Sequence, residues 1–346
     1  MKNEMLAAVL YGKEHVEIKK VAVPLLGDGD VLVRVRAALT CGTDVKVFHR
    51  GYHARMIVPP ALFGHELAGD VVEVGKSVRS FKPGQRVVAA NSAPCGECFY
   101  CKKQNENLCE HLLFNNGAYA EFIRIPSQIV EKNMYEIPEH VAYQDAALAE
   151  PLACVIRGID ETGVKAGDTV VVIGVGPIGL MFVRLLALRN CRVIAIGRRK
   201  PQLDRAIKLG AQVALSINDE KDIVAAVRRE TSSYGADVVI EAVGTPETWQ
   251  QAVLMLRRGG VANFFGGCPT DTVVQLDTQL MHYSEITCMA SFHHTPAHVR
   301  KALEAVNAGY ITAYDFVTGE EPLSNLNEVL SHQLHQNGAV KTAIIP

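Results

Sequence analysis

The chain lacks an excess of either charge. Thirty-five lysines and arginines face 37 aspartates and glutamates, so there is no basic surplus of the kind that would point to nucleic acid. Aromatics are scarce at 6%, while 48% of the 346 residues are hydrophobic, an ordinary globular profile. No apolar run is long enough to span a bilayer, because Gly, Pro and Arg184 interrupt the best stretch, 170–188. The first ten residues carry too short an apolar stretch, with the wrong flanks, for a signal peptide. Repeats and low-complexity tracts are missing as well. So is an even cysteine count: nine cysteines do not make a disulfide framework. These absences lead us to expect a cytoplasmic protein with neither a membrane nor a nucleic-acid partner. The length suggests two domains, each with its own core.

What is present centres on Val170-Val171-Val172-Ile173-Gly174-Val175-Gly176-Pro177-Ile178-Gly179-Leu180. The β-branched run reads as a buried parallel strand, and it breaks on Gly-x-Gly-x-x-Gly into an apolar helix over about 178–189. Gly174 permits the bend, Gly176 lets the backbone approach a pyrophosphate, and Gly179 allows close helix–strand packing. The phosphates would meet free N–H groups at the helix start, around Pro177 and Ile178. A merely close-packed turn would use the same glycines. The strand before the motif and the strand–helix alternation after it favour a dinucleotide site.

Before this motif, residues 5–130 alternate short strand-like runs (7–11, 31–38, 67–74, 86–90, 120–125) with Gly/Pro turns, as in a β-rich, barrel-like domain. From about 153 the pattern becomes α/β. Strands are expected at 169–173, 192–196, 213–215, 237–241 and 261–265, with helices at 201–209, 219–230 and 246–257. A strand at 286–290 and a helix at 297–308 lead out, and a helix at 325–335 and a strand at 341–345 rejoin the first domain. The expected division is 1–153, 154–296 and a C-terminal return over 297–346.

Two cysteine-bearing constellations carry chemistry. Cys95-x-x-Cys98-x-x-Cys101-x7-Cys109 sets four thiols within fifteen residues, in a polar lobe over about 93–112. That set can close a tetrahedral structural zinc site. Disulfides would conflict with the compartment, and an iron–sulfur cluster uses the same ligand type. The second set is dispersed: Cys41-Gly42-Thr43-Asp44, Gly64-His65-Glu66 and Ala149-Glu150-Pro151. Together Cys41, His65, Glu66 and Glu150 offer one sulfur, one nitrogen and two carboxylate donors. A mixed, incomplete set suits a catalytic metal that keeps a position for substrate.

The glycine-rich turn, Cys-Gly-Thr-Asp, Gly-His-Glu, the four-cysteine lobe and Glu-Pro together resemble the zinc-dependent medium-chain alcohol dehydrogenases along nearly the whole chain. Glu150, where classical members have Cys, resembles the sorbitol and threonine dehydrogenase branch. The resemblance implies a GroES-like catalytic domain wrapped around a Rossmann domain, two zincs per chain, and a homodimer or homotetramer. It implies that Cys41 and His65 bind the catalytic zinc. Glu66 would be a ligand or lie just beyond, and Glu150 would bind directly or through water. Thr43 would hydrogen-bond the substrate oxygen and begin a proton relay, and Asp44 would orient His65. Zinc would lower the alcohol pKa before hydride passes to the nicotinamide. Many relatives have His three residues after the Ser/Thr; this chain has Lys46, so water, His49 or His53 would finish the relay.

The second Rossmann strand usually ends near an Asp or Glu that binds the ribose hydroxyls of NAD. Nineteen residues past Gly179 this chain has Arg198, followed by Arg199. Guanidiniums attract a 2′-phosphate that a carboxylate would repel, so NADP is favoured, with NAD possible. Val243 and Gly266 follow strands on the cofactor edge, and the resemblance sets Lys341 near the pyrophosphate. Tyr52, His53, Phe114, Phe292, His293 and His294 are the expected pocket lining. The implied reaction is hydride transfer between NADP (or NAD) and a secondary hydroxyl of a polyol, sugar or related alcohol. The same site could serve a biosynthetic ketone reductase, and a non-catalytic NADP-binding redox sensor is the bland alternative.

Overall fold

The computed structural model of the chain describes residues 3–53, 56–333 and 340–346. The chain divides into two units, Met1–Ala153 with His294–Pro346, and Cys154–His293. No helix among the described residues is long and apolar enough to cross a membrane.

The first unit is built on β-sheets, the largest with seven strands. Val31–Leu39 runs antiparallel to Glu66–Val74 and, at its far end, to the C-terminal strand Lys341–Ile345. Its near end pairs with Phe122–Ile125. Val31, Val33 and Val35 alternate into one core with Leu67, Val71, Phe63, Tyr119 and Ile125. The first strand is longer than its sequence signal, Glu4–Gly12, and is joined by the unexpected His15–Ala22, whose short Val16/Ile18 alternation breaks at Lys19-Lys20. The helix Gly42–Arg50 was also unannounced. It starts where Cys41 accepts from the Thr43 N–H at 3.4 Å while Asp44 accepts from the Cys41 N–H at 3.2 Å, a reciprocal cap built from site residues. The C-terminal helix is described over Leu326–Gln333; residues 334 and 335 of the expected span lie outside the described residues.

The second unit is one parallel sheet of six strands. Across the sheet they run Val213–Ser216, Arg192–Gly197, Thr169–Ile173, Ala236–Glu241, Leu256–Phe264, Thr287–Ala290. In chain order this is 3-2-1-4-5-6, the Rossmann arrangement, whose order reverses beside Thr169–Ile173. That strand is buried because helices cover both faces of a parallel sheet, hence its unbroken Val/Ile run. Two expected helix ends move by several residues, and the strand expected from 261 already begins at Leu256. The helix Pro246–Leu254 stops short of 257, because Leu256 already pairs with Ala236 and opens a strand. The helix expected from 219 begins at Ile223, where the Asp222 carboxylate accepts from the Ala225 N–H at 2.9 Å.

Candidate active site

In the first unit the helix cap at Cys41 and the strand that begins at Glu66 bring three donors together. The ligand atoms of Cys41, His65 and Glu66 all lie within 4.8 Å of one another. Glu150, near the start of the helix Ala149–Thr162, stands outside that trio but is buried, and the charges of His65, Glu66 and Lys341 act on it. His65 presents Nδ1 to the Asp44 carboxylate at 2.9 Å, which leaves Nε2 as its ligand atom. Burial alone would lower the imidazole pKa, but Asp44 pushes it well above the ordinary value. Burial pushes the Glu150 carboxyl up to about 7 and raises Glu66, which Lys341 partly offsets. Buried acids that ionise reluctantly, next to a thiol and an imidazole that recruits a proton, make a donor set whose charge a divalent cation would satisfy. The residues fit zinc.

Lys341 corrects an expectation. Its ammonium is fully buried and donates to both Glu66 oxygens, at 2.7 and 2.6 Å, and to the Thr40 carbonyl at 3.0 Å. All three N–H bonds are engaged, leaving none for a pyrophosphate. Thr43 lies half-buried in the first helical turn, and Lys46 is exposed. His49 pairs with Glu14 at 2.8 Å, and His53 accepts from the Met56 N–H. Two site neighbours escaped the sequence reading. Asn91, buried, meets His294 Nε2 at 3.3 Å, and that ring lies 3.7 Å from Glu150. Tyr119, also buried, donates to Asp44 at 2.6 Å. No local signal could find either, since each meets its partner across 75 residues or more.

In the lobe the four sulfurs all lie within 4.8 Å of one another, and four of their six separations are Cys95–Cys109 3.5, Cys98–Cys101 3.5, Cys98–Cys109 3.8 and Cys95–Cys101 3.9 Å. A disulfide needs about 2.05 Å. A tetrahedron of sulfurs at the zinc–thiolate bond length has edges of about 3.8 Å. Backbone N–H groups of Cys95, Cys98 and His111 point at these sulfurs. The Cys101 N–H holds the Cys98 thiol down at about 6, whereas burial pushes Cys101 up to about 12. Four thiolates this close need a cation, and the spacing fits one ion.

In the second unit Gly174 has φ +96°, and a Cβ on Gly179 would sit 1.7 Å from the Gly174 carbonyl oxygen, so strand and helix touch backbone to backbone. Gly176 differs: nothing lies within 4 Å of the place its Cβ would occupy. Protein packing does not demand that glycine, and a phosphate approaching the N-terminus of Pro177–Leu188 would use the space. Ile178 lies in that first turn, and no acidic residue does. Val243 and Gly266 follow the fourth and fifth strands, Val243 exposed. Arg198 is exposed just past the strand Arg192–Gly197, its carbonyl accepting from Asn218 at 2.9 Å, and Arg199 is partly buried at the start of the next helix.

A Rossmann sheet with a phosphate turn, joined to a β-rich unit with a sulfur–imidazole–carboxylate cluster and a four-thiol lobe, defines a metal-dependent, nucleotide-linked dehydrogenase. Comparison with known proteins carries this further. Residues 27–139 match the alcohol dehydrogenase GroES-like domain and residues 177–308 match the zinc-binding dehydrogenase domain. The sorbitol dehydrogenase of Bacillus subtilis (strain 168) is 29% identical over 99% of this chain and 98% of its own length. The L-threonine 3-dehydrogenase of Caldanaerobacter subterraneus subsp. tengcongensis is 35% identical over 74% of each chain. Among solved structures, a zinc-binding dehydrogenase from Sinorhizobium meliloti 1021 bound to NADP superposes with a TM-score of 0.92 at 32% identity, covering 100% of both chains. The chain belongs to the zinc-dependent medium-chain alcohol and polyol dehydrogenase family, and it is an oxidoreductase that uses zinc and a nicotinamide nucleotide.

Proposed function

We propose that this dehydrogenase interconverts a secondary hydroxyl of a polyol, sugar or related alcohol and the corresponding ketone, with NADP preferred over NAD. The observation that carries the reading is the convergence of Cys41, His65 and Glu66 within 4.8 Å beside the buried Glu150. Cys41 and His65 hold the catalytic zinc, and Glu150 supplies the third donor. Glu66 is a neighbour rather than the resting ligand, because Lys341 already engages both of its oxygens. Cys95, Cys98, Cys101 and Cys109 hold a second, structural zinc. When bound, zinc would supply Lewis acidity that eases loss of the hydroxyl proton, and a nicotinamide nucleotide would supply the hydride acceptor. Thr43 takes the proton from the substrate hydroxyl and hands it to water, since the Lys46 side chain is exposed. Asn91 and His294 place polar groups beside Glu150, which suits a substrate with several hydroxyls. The enzyme works as a homodimer or homotetramer in the cytoplasm.

The cofactor preference rests on Arg198 and Arg199 at the strand end where an acidic residue would select NAD. Steady-state kinetics with a panel of polyols, sugars and hydroxy acids and both cofactors test the whole reading. Losing one charge-assisted bond is worth about tenfold to a hundredfold in kcat/KM. Arg198→Asp should cost NADP more than that, through added repulsion, and should improve NAD. A wild-type preference for NAD that neither Arg198→Asp nor Arg199→Ala alters would return the loop to solvent.

A further inference from the structure

Asp44 reaches both candidate ligands supplied by the helix cap and the Gly-His-Glu turn. Its Oδ1 lies 2.9 Å from His65 Nδ1, and its Oδ2 accepts from the Cys41 N–H at 3.2 Å. The carboxylate is buried, so its orientation depends on the donors around it. The shortest of these bonds comes from elsewhere: the Tyr119 hydroxyl donates to Oδ2 at 2.6 Å.

Tyr119 is itself fixed from several sides. Its N–H donates to the Phe63 carbonyl at 3.0 Å, and its own carbonyl accepts from the Ala8 N–H at 2.8 Å. The ring packs edge-on against Phe63, centroids 5.7 Å apart. It also lies flush on Gly64, the residue before His65: a Cβ there would fall 2.6–2.8 Å from three ring carbons. Gly64 takes φ +86°, so glycine is required there twice over, for the backbone and for the ring. Filling this space would need only a phenyl ring. The hydroxyl is the one part of Tyr119 that ring packing does not explain: the Leu39 carbonyl lies 3.2 Å from it, and its shorter contact, at 2.6 Å, is to the carboxylate that orients His65.

We propose that Tyr119 is a positioning residue for the catalytic zinc: its hydroxyl fixes Asp44, and through Asp44 it sets His65 and the Cys41 cap. The inference rests on the metal site proposed above. Tyr119→Phe keeps the ring and removes the donor, so Asp44 loses its shortest hydrogen bond and His65 is held less firmly. Removing such an outer partner typically costs about tenfold to a hundredfold in metal affinity.

The test uses the zinc-loaded enzyme and follows zinc release to a chromophoric chelator, with the visible spectrum of the cobalt(II)-loaded enzyme as a second reading. For Tyr119→Phe the release assigned to the catalytic site should be about tenfold faster or more. Release from the four-cysteine lobe should be unchanged, and the cobalt bands should shift. Phe63→Leu loosens the same ring without touching the hydroxyl. It should keep wild-type zinc release, and release as fast as that of Tyr119→Phe would make the effect one of packing and overturn the proposal. Wild-type release and spectrum in Tyr119→Phe would overturn it as well. Should that variant not fold, Asp44→Asn replaces it: accelerated release supports the chain of contacts, and wild-type release breaks it. Failure of the underlying site looks different, since Cys41→Ser would then leave the zinc content of the wild-type chain unchanged.

Discussion

Thr43 shows how much a single side chain can carry when its neighbours fix it. It sits in the first turn of Gly42–Arg50 with its N–H on the Cys41 sulfur, so its distance from that candidate ligand is set by the helix cap and not by loop freedom. Thr43→Val keeps the shape and deletes the hydroxyl. The expected result is a fall in kcat of about a hundredfold or more, the scale of lost acid–base assistance, with zinc content unchanged. Thr43→Ser should keep most activity. A near-normal kcat for the valine variant in steady-state assays would move the proton route elsewhere. At this scale legibility depended on distance along the chain. Cys41, His65 and the four lobe cysteines belong to short motifs whose residue types state their chemistry. Lys341 does not: its partner Glu66 is 275 residues away, and nothing local could take it away from the cofactor. Tyr119 was likewise invisible, a tyrosine just before the strand-like run 120–125 whose hydroxyl has a partner only once the fold closes.

Whole elements were readable where burial imposes a pattern. The Val/Ile runs of the parallel sheet and the glycine turn announced the Rossmann unit, because strands covered on both faces tolerate little else. The helix Gly42–Arg50 was hidden because cysteine is not a customary cap, and its start is fixed by tertiary contacts. The four-cysteine lobe makes the same point energetically. It contains only a four-residue helix, Phe99–Lys102, and a single 3-10 turn, Glu106–Leu108. Its buried cluster consists of Cys98, Cys101 and Cys109, with Cys95 and Leu112 packed alongside, so the sulfurs themselves are the core. If the proposed structural zinc is bound there, such an element owes its order to metal–thiolate bonds rather than to apolar burial. Cys98→Ser should therefore lose one zinc per chain and lower the midpoint of thermal unfolding, while Cys41→Ser should lose the other zinc and all turnover with little effect on the fold. Unchanged zinc content and melting for Cys98→Ser would contradict a structural metal in the lobe.

At the scale of the whole molecule, the first unit is made from two distant pieces of chain, and its site depends on both. The last strand, Lys341–Ile345, pairs with the end of Val31–Leu39 and brackets Thr40, the residue before Cys41. The Thr342 N–H donates to Thr40 Oγ1 at 2.9 Å, and the Thr40 N–H donates to the Thr342 carbonyl at 3.0 Å. From the same strand the Lys341 ammonium reaches Glu66, with both groups essentially without solvent exposure. A buried pair of this sort is not in itself a source of stability, since desolvating two ions offsets most of their attraction. Breaking it from one side is different, because the remaining charge stays buried without a counterion. Lys341→Met should thus destabilise the protein by about 3–5 kcal/mol and lower its melting temperature. Adding Glu66→Gln removes the orphaned charge and should recover part of the loss, giving a coupling energy that only paired residues show. Thermal and urea unfolding of the wild type, both single variants and the double variant give that cycle. A Lys341→Met protein as stable as the wild type, or a double variant whose loss is the plain sum of the singles, would mean that the C-terminal strand is held by its backbone pairing alone.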